Sequence, residues 1–192
     1  MYGVFAPEEL KLNTGELASR LRTPKDFDMT FADECNALVL ASLNPRYCYV
    51  KVPVKLLMPD KVDLEFAVFN SQHLYKNLTD CDFAFITAVS LGIGVDRLIA
   101  KLSVTSPAKS FIADAVASAY AEACADRLSD MLGETGKLKP RFSPGYGDLS
   151  LSYQKDVLNF LVAEKTVGIT LNESLLMTPS KSITAIQGIL KQ

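Results

Sequence analysis

No tryptophan occurs in this 192-residue sequence, which holds one histidine, His73, and four cysteines. Cys35, Cys48, Cys81 and Cys124 stand far apart, and no C-x-x-C pair exists. With one imidazole and no paired thiols, a structural zinc site lacks a ligand set. Isolated cysteines within apolar segments fit buried free thiols in a reducing cytoplasm. No window approaches the run of about eighteen apolar residues that a transmembrane helix needs. The first nine residues carry neither a basic nor an apolar region, so no signal peptide is expected. An excess of one charge is missing too: 20 basic and 22 acidic side chains give a net charge of −2. No polybasic block exceeds Lys-x-Lys, which removes the electrostatic footprint for nucleic acid or an anionic membrane.

What remains describes a globular protein. The sequence is 48% hydrophobic and 22% charged, enough apolar material for one substantial core. Composition shifts are slight, so a single domain over 23–192 is expected behind an N-terminal arm over 1–22. The segment is polar and mixed, an arm or a short helix around Gly15 to Leu21. Thr23-Pro24 suits a helix start. Phe27, Phe31, Cys35, Leu38 and Val39 then recur at helical steps, which predicts a helix to about Leu43. Residues 46–57 are β-branched and aromatic and predict a strand, with Pro53 demanding an edge or a bulge. Val62, Leu64, Phe66 and Val68 alternate with polar or small neighbours and predict a half-buried strand. Ser71 caps a short helix through Leu78. The run at 83–89 is apolar and short, as in a buried central strand.

Ser106-Pro107 opens the longest helix, toward Leu132, with Gly133 at its end. Seven alanines between Ala113 and Ala125 give it small side chains on every face. Neighbouring backbones can then approach on more than one side. Residues 133–150 are expected to form a loop, Ser152 to about Glu164 a helix, and 167–171 and 182–190 strands. Short strands mixed irregularly with helices indicate an α+β fold with a mainly antiparallel sheet.

The most informative stretch is Arg141-Phe142-Ser143-Pro144-Gly145-Tyr146-Gly147-Asp148. Pro144 fixes φ and biases Ser143 toward extended backbone, while Gly145 permits positive φ. The stiff corner holds backbone groups and a permanent cation in place at low entropic cost. It suits a carboxylate ligand or a cofactor edge, and equally an ordinary tight connection. Gly92-Ile93-Gly94-Val95-Asp96 follows a strand and opens a helix, the position of a dinucleotide loop. Arg97 stands where the third glycine belongs and no βαβ repeat follows, which argues against a phosphate cradle.

Arg141-x-x-Pro144-Gly145-Tyr146, Glu164-Lys165-x-x-Gly168, Glu173-Ser174-x-x-Met177-x-Pro179 and Lys181-Ser182-Ile183 together resemble the reactivation domain of cobalamin-dependent methionine synthase. The family pattern reads R-x-x-P-G-Y, E-K-x-x-G and T-E-S-x-x-M-x-P-x-x-S-V-S, and the match spans about 141–187. Leu91 to Leu98 and the alanine-rich run resemble it as well. The nearest likeness is to stand-alone, single-domain forms.

That resemblance implies a function. In the family, S-adenosylmethionine supplies the methyl group that traps re-reduced cobalamin, and an external donor supplies the electron. The protein positions rather than reacts, so the chain would be an accessory component, not an independent catalyst. Arg141 would engage the ligand carboxylate and Ser143 backbone would help hold it. Gly145 would shape the corner, and Tyr146 would lie where ligand and cobalamin approach. Glu173 and Ser174 belong to the second motif, either as ligand neighbours or as a cap and a turn closure. Met177 and Pro179 are expected to pack. The implied partner is a cobalamin-binding methionine synthase or a related corrinoid protein. Two departures stand out. Ser118 occupies the place of a helix carboxylate that meets the ligand's ammonium, and no paired tyrosines follow the second motif before Gln192. A docking module without the ligand is the alternative the departures imply.

Overall fold

A computed structural model describes residues 1–13, 15, 17, 21 and 29–191. Its centre is a four-stranded antiparallel sheet in the order β1 (Tyr2–Val4), β2 (Arg46–Pro53), β6 (Cys81–Ser90), β9 (Ser182–Leu190). β6 shows why the apolar run at 83–89 belongs in the middle. Phe85 and Val89 face one side, whereas Ala84, Ile86 and Ala88 face the other, and all are buried. A strand covered on both faces reads as continuous apolar sequence.

The first face carries α1 (Met29–Leu40), α3 (Ile93–Thr105) and α4 (Pro107–Gly133). The expected Thr23 start of α1 and the short helix near Gly15 fall largely outside the described residues. α4 runs for 27 residues and buries Ala113, Ala115, Ala117, Ala119, Ala121, Ala123 and Ala125. It packs against α1, α3 and the sheet, as alanine on several faces allows. Among the described residues no helix is long and apolar enough to cross a membrane.

The other face is covered by β3 (Lys55–Leu57), β4 (Lys61–Asp63) and β5 (Val68–Asn70), which form a small antiparallel sheet. With them lie α2 (Gln72–Asn77), α5 (Gln154–Phe160) and α6 (Ala163–Thr166). The hairpin of β7 (Thr170–Leu171) and β8 (Met177–Thr178) follows α6 in the chain. The α+β class and the antiparallel sheet agree with the sequence.

Three local expectations change. The alternating segment 62–68 is two strands joined by a turn, with the Leu64 amide donating to Ala67 O at 3.1 Å and Glu65 at φ 70°. Alternation there marks burial of Val62 and Leu64, not an unbroken strand. The helix expected over 152–164 is interrupted at Val162, whose φ is 50°; Leu161 and Ala163 on either side are buried. The 46–57 strand divides after Pro53. β1 covers β2 only along Arg46–Cys48, and the Val54 amide donates to Asp82 O, so the N–H that Pro53 lacks would point outward.

Gly92-x-Gly94 is a helix entry, as expected. Gly92 is the N-cap of α3, and a Cβ on Gly94 would sit 2.7 Å from Ser42 O. The glycine admits α3 against the end of α1.

Candidate functional site

Between its alanine faces α4 carries a polar stripe. Asp114, Ser118, Glu122 and Asp126 recur every fourth residue and therefore lie along one side of the helix. Basic groups from the C-terminal half meet this stripe. Lys181, one residue before β9, places Nζ 2.7 Å from Asp114 and donates to Ser118 Oγ at 2.9 Å. Arg141 Nη2 lies 2.8 Å from Glu122 and 3.0 Å from Asp126. Farther along, Ser129 Oγ donates to Gln187 Oε1 at 2.9 Å.

Arg141 is thus built into the fold through one end of its guanidinium. Its Nη1 is buried and has no hydrogen-bond partner among the described residues. A buried donor left alone costs about 1–3 kcal/mol, more when charged. A planar fork with one free nitrogen suits a carboxylate oxygen.

The corner after Arg141 is fastened along the edge of β9. Phe142 and Ile186 exchange backbone bonds of 2.9 and 2.7 Å, and Ser143 Oγ donates to Thr184 O at 2.6 Å. Pro144 is buried. Gly145 has φ 92°, and its amide donates to Leu149 O at 2.8 Å, which closes the turn. Tyr146 is 64% exposed, so the motif tyrosine is presented outward.

Asp148, at the end of the motif, is committed to structure. Its carboxylate accepts from the Ser71 hydroxyl and from the amides of Gln72 at 2.8 Å and His73 at 3.2 Å. The Ser71 hydroxyl, then those two amides, hold its carboxyl below the usual carboxylate range. Ser71 itself caps α2 by accepting from the Leu74 amide. The corner therefore rests on β9 at one end and on α2 at the other.

Glu173 and Ser174 lie elsewhere, exposed in the turn between β7 and β8. Asn172 closes that turn, accepting from the Leu176 amide at 2.9 Å. Glu173 lines a cleft of about 550 Å³ between this turn and α5–α6, a cleft that Arg141, Ser143, Gly145 and Tyr146 do not line. The structure brings the first four site residues together and leaves Glu173 and Ser174 apart from them.

One residue joins the two segments. Gln154, 3% exposed, exchanges hydrogen bonds of 2.9 and 3.0 Å with Thr184 Oγ1 and donates to Met177 Sδ at 3.5 Å. The sequence contains its signal. Gln154 shares the 154, 157, 158, 161 spacing with Val157, Leu158 and Leu161, which puts a glutamine on an apolar helix face.

All four cysteines are buried free thiols. Burial pushes the Cys124 thiol up to about 12 and also raises Cys35, Cys48 and Cys81.

No family model matches this sequence, and no curated protein does. Among solved structures, the chain is similar to the crystal structure of the MetH reactivation domain bound to AdoHcy. The likeness covers 98% of this chain and 78% of that one, with a TM-score of 0.76 and 16% sequence identity. The chain has the fold of that reactivation domain.

Proposed function

We propose that this chain binds S-adenosylmethionine at the Arg141–Tyr146 corner and assists the reductive methylation of cob(II)alamin on a methionine synthase or related corrinoid protein. The observation that carries this reading is the Arg141 guanidinium, anchored by Glu122 and Asp126 through Nη2 while its buried Nη1 lacks a partner among the described residues. A ligand carboxylate would complete that donor by displacing the side chains that now cover it. The Ser143–Gly145 backbone, held by Thr184 and Leu149, fixes the wall beside it. Tyr146, projecting outward, offers an aromatic surface to a partner. S-adenosylmethionine supplies a methyl group from its sulfonium, and an external donor supplies the electron. The chain itself orients and shields, which calls for no nucleophile or acid–base pair. The fold likeness to a domain crystallised with AdoHcy supports the ligand class. Titration calorimetry with S-adenosylmethionine, alone and with a corrinoid protein, tests it. Saturable binding is expected, and absence of heat at millimolar ligand in both titrations contradicts it.

A second reading has its own observation. Lys181 already supplies an ammonium to Asp114 and Ser118, on the helix face where the resemblance puts the ligand's amino group. A docking module that has replaced the ligand with its own lysine would look like this. Binding of the corrinoid protein without S-adenosylmethionine distinguishes it.

A further inference from the structure

We infer that Gln154 is a positioning residue that makes the Pro-Gly corner and the β7–β8 hairpin respond as one unit. The corner is held by Ser143 Oγ on the main-chain carbonyl of Thr184. The side chain of the same Thr184 is held by Gln154, both groups being buried. The remaining donor of Gln154 reaches Met177 in β8, the strand that follows the Glu173–Ser174 turn. The links through Thr184 are 2.6–3.0 Å and the one to the Met177 sulfur is 3.5 Å, and the Gln154–Thr184 pair lies where water cannot replace a lost partner. Beside the short chain connection from Thr178 to Ser182, a side-chain route from corner to hairpin therefore passes through one amide group. Its neighbours Val157 and Leu158 are anchored in the second core, so α5 gives that amide a fixed base.

Hydrogen exchange read by mass spectrometry tests the link. Gln154→Met keeps the length of the side chain and fills the same space without the hydrogen bonds to Thr184. In the unliganded protein, amides in 143–147 and 175–178 should both exchange about tenfold faster, while β4 and β5 keep wild-type rates. Thr184→Val removes the same bonds from the β9 side and should give the same pattern, which covers a failure of the first variant to fold. Loosening of 175–178 with 143–147 unchanged would overturn the inference, and so would an equal rise over every strand. The ligand arm rests on the function proposed above. S-adenosylhomocysteine should slow exchange at 143–147 and, through Gln154, at 175–178; in Gln154→Met only the first effect should remain. Slowing at both segments in Gln154→Met would count against the link. If the nucleoside slows nothing in the wild type, the proposed function fails, and the unliganded comparison still decides the role of Gln154.

Discussion

Lys181 Nζ stands 2.9 Å from Ser118 Oγ and 2.7 Å from Asp114, so the polar stripe of α4 is met here by a cation of the chain itself. Lys181 is only 13% exposed, which limits its freedom to swing away. A carboxylate introduced at Ser118 will meet this lysine before it meets a ligand. Ser118→Glu alone should therefore change S-adenosylmethionine affinity by less than about twofold. Ser118→Glu combined with Lys181→Met frees the new carboxylate for the ligand's ammonium and should tighten binding about tenfold, equivalent to about 1.4 kcal/mol. Calorimetry on the two variants separates these outcomes, and tighter binding by Ser118→Glu alone would show that Lys181 does not guard the site.

Arg141→Lys keeps one positive charge near Glu122 and Asp126 but loses the second nitrogen of the fork. The fold should survive, with a melting temperature within a few degrees of the wild type, because both carboxylates keep a cationic neighbour. Ligand affinity should fall by about tenfold or more, since a lysine cannot anchor and present a free donor together. An unchanged dissociation constant would assign Arg141 to the α4 contact alone.

The helical spacing of α4, the Ser106-Pro107 start and the central position of β6 are legible in the sequence because each is a local pattern. The corner is legible for the same reason, since Pro144 and Gly145 constrain their own backbone. The 62–68 segment misleads because alternation reports burial, and a turn at Glu65 preserves burial of Val62 and Leu64. Nothing local marks Lys181 for Asp114, or Arg141 for Glu122 and Asp126; those pairs exist because β9 and its edge segment lie beside α4. Gln154 is visible as a polar residue in an apolar spacing, yet its partners Thr184 and Met177 come from the fold. The separation of Glu173 and Ser174 from Arg141 is likewise tertiary, set by the β7–β8 hairpin whose turn carries them.

Asp148 links the corner to α2, and its acidity gives that link a pH signature. Its carboxyl is held below the ordinary range in the folded chain, so the stabilisation is present above the unfolded value and lost as pH falls through the folded one. Asp148→Asn should lower the melting temperature more at about pH 7 than at about pH 3, because the stabilisation by the carboxylate fades as pH falls from the unfolded value through the folded one. Equal destabilisation at both pH values would show that the charge of Asp148 contributes nothing.

The cysteines should be silent in the native chain. With Cys124 pushed up to about 12 and the other thiols raised by burial, little thiolate exists at neutral pH. Iodoacetamide should label none of the four rapidly until denaturant is added, as read by intact mass. Rapid labelling of Cys124 without unfolding would mean that its segment of α4 opens locally.

The proposed function has this chain help place a methyl group on a partner's cobalamin. The direct measurement supplies a corrinoid protein in the cob(II)alamin state, a low-potential electron donor and methyl-labelled S-adenosylmethionine, with and without this chain. Label is expected on the cobalamin, at a rate that rises with the amount of chain added and falls in Arg141→Lys. Label appearing at the same rate without the chain, or none appearing with it, would contradict the proposed function.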